Sequence, residues 1–115
     1  MIEFESRQLL RVYMGEQAKY HHRPLYEAVV DEAKERGVAG ATVFKGILSY
    51  GMSGTLYTTK ILELSQNLPV VIEIMDTRQQ IEKFLPVIEA FASESGTHVY
   101  VTLEEIRAAV ILPEE

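Results

Sequence analysis

Residues 68–76, Leu-Pro-Val-Val-Ile-Glu-Ile-Met-Asp, constrain the fold more than any other stretch. Their alternation puts Val70, Ile72 and Ile74 on one face and Val71, Glu73 and Met75 on the other, the period of an extended strand. Both faces are apolar enough to need cover, so this strand belongs inside a sheet rather than at a wetted surface. Whatever surrounds it must supply partner strands at its edges and packed layers above and below.

The rest of the chain supplies them in a definite order. Residues 9–16 alternate Leu10, Val12 and Met14 against Leu9, Arg11 and Tyr13 until Gly15 ends the run, which predicts a strand. A polar connection follows, with Pro24 expected at the first position of a helix carrying Leu25, Ala28, Val29 and Ala33 on one side and stopped by Gly37. A second strand starts near Val38 and runs into glycines. Residues 56–67 are too apolar for a free tail and read as an ordered but adaptable loop. After the strand at 68–76, Thr77 and Gln80 match a capping box. Ile81, Phe84, Leu85, Ile88 and Phe91 then recur at helical spacing across Pro86, where a kink or restart is expected, until Gly96. Residues 97–103 predict a fourth strand, and the alternation at 106–112 a further one at an edge or interface.

Strand, helix, strand, strand, helix, strand is the order of an α+β, ferredoxin-like (split βαβ) sandwich. It comprises a four-stranded antiparallel sheet with two helices on one face, here with an extra C-terminal strand, in a single domain over 1–115. Helices on one face leave the other bare, and its Leu, Val, Met and Tyr residues predict burial against another subunit.

Function is carried less openly. Gly46, Gly51 and Gly54 interrupt the second strand, with Ser49, Tyr50 and Ser53 among them. No Gly-Lys-Ser/Thr follows and no strong helix opens, so neither a P-loop nor a dinucleotide fingerprint is present. Two readings stay open: a β-bulge plus turn, or a backbone nest that receives phosphate oxygens with Lys45 or Lys60. His21 and His22 are adjacent and lack a third ligand at a recognised spacing, so no metal site is supported. There is no cysteine and no nucleophile elbow, and nothing supports an enzyme. A net charge of −6 disfavours nucleic acid and anionic membranes. With no secretory signal and no long apolar run, a cytoplasmic location without membrane insertion is expected.

Several stretches resemble the bacterial PII-like proteins. They are Leu9-Leu10-Arg11-Val12-Tyr13-Met14-Gly15-Glu16, Pro24-Leu25-Tyr26-Glu27-Ala28, Gly40-Ala41-Thr42-Val43-Phe44-Lys45-Gly46-Ile47, Tyr50-Gly51, Thr58 and the strand at 68–76. The resemblance spans nearly the whole chain. It implies a homotrimer with sheets packed inward, a small ligand, an adenine nucleotide by class, held between subunits, and a 49–67 loop that relays occupancy to a membrane transporter or enzyme. It places Thr42 and the Ser49-Tyr50-Gly51 turn near a base and the loop root, with Lys60 and Gly96-Thr97 as phosphate neighbours. The candidate ligand-binding set is therefore Thr42, Lys45, Gly46, Ser49, Tyr50, Gly51, Ser53, Gly54, Lys60, Gly96 and Thr97. The chain departs from the nitrogen-regulatory members at Ser93-Glu94-Ser95-Gly96-Thr97, where they carry a glycine-rich phosphate loop, and at Met52-Ser53-Gly54-Thr55, where they carry Arg-Gln-Lys-Gly. A CutA-like divalent-metal trimer and a ligand-independent adaptor of a membrane transporter are the alternatives.

Overall fold

The computed structural model describes residues 2–50, the short strand at 56–58 and residues 68–114. Four strands form the main sheet in the order β4-β7-β1-β8: β1 (Glu5–Gly15), β4 (Ala41–Lys45), β7 (Pro69–Asp76) and β8 (Tyr100–Ala108). All three pairings are antiparallel, giving the ferredoxin-like order expected from the sequence. The register follows the hydrophobic alternation. Leu10 lies opposite Ile74 on one side and Leu103 on the other, while Val12 lies opposite Ile72 and Val101.

Helices α1 (Leu25–Glu35) and α2 (Arg78–Ser95) cover the face carrying Leu10, Val12, Met14, Val70, Ile72 and Ile74. Leu25 and Val29 from α1 and Ile81, Phe84 and Ile88 from α2 complete the core. Each such fully buried side chain contributes roughly 1.5–3 kcal/mol. Glycine terminates both helices as expected, with Gly37 at φ 75° and Gly96 at φ 66°. Thr77 caps α2 by accepting the Gln80 N–H at 3.2 Å. The reciprocal half of the capping box is absent, because the Asp76 carboxylate takes the Thr77 N–H at 2.7 Å. Asp76 is buried at 7% exposure, and its second oxygen accepts from the Ala39 N–H at 2.8 Å, tying the α1–β4 connection to the end of β7.

Two expectations are corrected, and one of two alternatives at Pro86 is removed. Pro24 is the N-cap of α1 rather than its first residue. Its ψ of 132° is extended, and it pairs with Lys19 in a small hairpin, β2 (Lys19–Tyr20) with β3 (Arg23–Pro24), inside the stretch predicted to be a plain connection. Tyr20 of that hairpin donates to Glu94 at 2.8 Å, and this bond raises the Tyr20 pKa above its ordinary value. Helix α2 is continuous through Pro86, without a restart. The extra C-terminal strand does not form. Ile106 and Ala108 continue β8 because β1 extends far enough to meet them, Arg7 opposite Ile106 and Glu5 opposite Ala108. Past that point no described strand is available, and Val110, Ile111 and Leu112 are exposed.

Candidate ligand-binding site

The face of the sheet opposite the helices carries Thr42 and Phe44 from β4, Val71, Glu73 and Met75 from β7, Leu9, Arg11 and Tyr13 from β1, and Tyr100 and Glu104 from β8, as strand alternation requires. Phe44 is 51% exposed, Met75 43% and Tyr100 63%, so this face is an uncovered apolar surface. A groove of about 370 Å³ is cut into it, lined by Leu9, Gly40, Thr42, Glu73, Met75 and Ile106. Arg11 braces the groove wall: its Nε donates to Glu73 at 3.0 Å and its Nη1 to Glu104 at 2.6 Å. Glu104 first, then Glu73, raises the Arg11 pKa further above its ordinary value. Glu73 is thereby oriented while keeping acceptor capacity for a donor in the groove. Apolar walls with one hydroxyl and one carboxylate suit a flat heteroaromatic ring with a polar edge.

Of the predicted residues that are described, Thr42 is the one in this groove. Lys45 ends β4, with its Nζ 3.0 Å from the Glu16 carboxylate. Gly46 follows, and its N–H donates to the Pro69 carbonyl at 2.8 Å, closing the sheet end where Gly15 lies opposite Pro69. Close packing against Pro69 accounts for that glycine. A Cβ there would lie 3.0 Å from Pro69 Cγ and 3.3 Å from its carbonyl oxygen. Ser49 and Tyr50 belong to β5 (Leu48–Tyr50), which pairs with β6 (Leu56–Thr58), and Tyr50 is 74% exposed. The N–H groups of Gly96 and Thr97 are committed to the end of α2, donating to Ser93 and Ala92 carbonyls. Gly51, Ser53, Gly54 and Lys60, with most of the expected 49–67 loop, lie outside the described residues.

Leu9, Gly40, Met75 and Ile106 were not singled out as ligand neighbours from the sequence, and Glu73 had no assigned partner. The signal available was a lone glutamate inside the otherwise apolar strand at 68–76, but its neighbours come from three other strands. Among the described residues no cluster of three or more His, Asp or Glu side chains is placed to hold a metal, and no helix is long and apolar enough to cross a membrane.

The sheet order and the helices on one face give the chain the fold of PII-like proteins. Over 96% of its length the chain superposes with a TM-score of 0.71 on CPII, a nitrogen regulatory PII-like protein from Thiomonas intermedia K12 bound to ADP, AMP and bicarbonate, matching 94% of that chain at 16% identity. Residues 7–108 match the family DUF190, described as Uncharacterized ACR, and the chain belongs to that family. It is 37% identical to a UPF0166 protein of Aquifex aeolicus over 102 residues, 88% of this chain and 91% of the relative. It is 35% identical to a UPF0166 protein of Methanocaldococcus jannaschii over 80% of this chain and 90% of that one.

Proposed function

We propose that this protein is a non-enzymatic PII-like regulator. Three copies assemble through the grooved sheet face, hold an adenine nucleotide against Thr42 and Glu73 at the junction between copies, and report occupancy through residues 49–67 to a transporter or enzyme. The observation that carries this reading is the groove itself. It opens on a surface too apolar to stay wet, on the fold of a protein that binds ADP and AMP. The base lies between Leu9, Met75 and Ile106, with its amino edge toward Glu73. Lys45, exchanging its contact with Glu16 for phosphate, extends the site toward Gly46, Ser49, Tyr50, Gly51, Ser53, Gly54 and Lys60, with Gly96 and Thr97 further phosphate neighbours. Ligand binding shifts the loop by differential affinity for its states.

The test is calorimetric titration of AMP, ADP, ATP, bicarbonate and divalent metals, alongside the native mass. The expected result is a trimer with saturable nucleotide binding that Thr42→Val and Glu73→Gln each weaken by about tenfold, the size of one lost hydrogen bond. A monomer, or a trimer that binds metals and no nucleotide, would overturn the reading.

A further inference from the structure

On the other face of the sheet, where β1 begins, β8 ends and α2 starts, lies a second cavity of about 450 Å³ lined by Ser6, Arg7, Gln8, Arg78, Glu105 and Arg107. Two arginines, Arg78 at the start of α2 and Arg107 on β8, face it in a chain of net charge −6, while Arg7, opposite Ile106 in the ladder, belongs by strand alternation to the grooved face. Gln8 lies on the helix-covered face in line with Leu10 and Val12. It is only 6% exposed, and its Oε1 is buried without a hydrogen-bond partner. A buried acceptor left unsatisfied is costly and calls for a donor. The sequence at this helix end is also unusual. The first turn of α2 carries no acidic residue and opens with Arg78, although the positive end of a helix dipole favours acids.

We infer that this cavity binds a phosphate-class oxyanion. Arginine N–H groups receive its charged oxygens, and Gln8 Oε1 accepts from its protonated oxygen. A guanidinium has five N–H donors. Arg78 commits one of them, to Glu82 at 2.9 Å. Arg107 sits 5.4 Å from the Phe4 ring centroid. The carboxylate of Glu82 holds an exposed ion pair, which is weak and yields to an anion offered bidentate contacts. Glu105 is the one acidic side chain in the wall. It lies opposite Gln8 across the β1–β8 ladder and favours the singly protonated anion, whose remaining proton it or Gln8 accepts. This site shares only Ile106 with the Thr42 groove and does not depend on the nucleotide reading.

Inorganic phosphate and AMP are titrated separately into the wild-type full-length protein, the Arg78→Gln/Arg107→Gln double variant, Gln8→Leu and Thr42→Val. A loss of about tenfold or more in phosphate affinity in the double variant, a smaller loss in Gln8→Leu and none in Thr42→Val supports a site for the free anion. A loss confined to AMP in the double variant supports the same site occupied by a nucleotide's phosphate. Both arginine positions are exposed enough for the double variant to fold, and Gln8→Leu is expected to keep or raise the melting temperature, because it removes a buried unpaired acceptor. Unchanged affinity for both ligands in the double variant, or no saturable binding of either at millimolar concentration, overturns the inference. AMP binding that shows no arginine dependence, together with phosphate binding that is absent or equally independent of the arginines, overturns this site alone and leaves the Thr42 groove standing.

Discussion

His21 and His22 occupy both central positions of the β2–β3 turn with φ of 47° and 69°. This is the conformation of a type I′ hairpin turn, which asparagine and glycine take easily and a residue with a bulky side chain takes under strain. His21 gains a ring contact with Tyr20 at 4.3 Å, and no such contact is seen for His22. His22→Gly is therefore expected to stabilise the protein by about 0.5–1 kcal/mol, read as a higher urea midpoint; a lower midpoint would mean that His22 holds a contact of its own. Gly46 is the opposite case. Alanine there must push on Pro69 at 3.0–3.3 Å in the closing corner of the sheet, so Gly46→Ala is expected to lower stability by about 1–2 kcal/mol in the same measurement. Neither position was legible from sequence. A pair of histidines carries none of the usual turn chemistry, and three similar glycines do not say which one a proline will crowd.

The elements themselves were largely legible, since Leu10, Val12, Ile72 and Ile74 alternate and Leu25, Val29, Ile81, Phe84 and Ile88 recur at helical spacing, and burial follows both periods. The misreadings lie where tertiary partners decide. Glu104 and Glu105 look like the end of a strand, yet β8 runs through them because Glu104 pairs with Arg11 and β1 continues alongside. Pro86 reads as a kink or a restart, and the restart does not occur because Phe84 and Ile88 on either side are anchored in the core and hold α2 together across it. The helix nevertheless lacks the N–H that would reach the Glu82 carbonyl. Pro86 is exposed, so alanine meets no packing conflict. Pro86→Ala should raise stability by about 1–2 kcal/mol, the helix gain less the restraint that proline places on the unfolded chain. Thermal unfolding would measure it. A decrease would mean that proline's restraint on the unfolded chain outweighs the missing bond.

At the scale of the whole molecule the question is what covers the grooved sheet face. Its apolar character was legible as two-sided hydrophobic strands. The charged cluster at its centre was not, because Arg11, Glu73 and Glu104 are brought together only by the β7-β1-β8 order. In it one guanidinium serves two carboxylates, so removing Arg11 would leave both uncompensated. Tyr100, 63% exposed and edge-on to Tyr13 at 6.2 Å, tests the cover with little risk to the fold, since the aromatic contact contributes only about 0.5–1.5 kcal/mol. Tyr100→Asp places a charge where a second copy would pack, and the native mass is expected to fall from that of a trimer to that of a monomer while the circular dichroism spectrum is kept. A wild-type protein that is already monomeric would remove the premise. Glu73 faces both the groove and the Arg11 cluster, so on the proposed function ligand occupancy and assembly would share a residue and be thermodynamically linked. An adenine nucleotide should then raise the melting temperature of the wild-type assembly and have far less effect on the Tyr100→Asp monomer, whose groove has lost its opposing wall. Equal stabilisation of both would mean that one chain completes the site by itself.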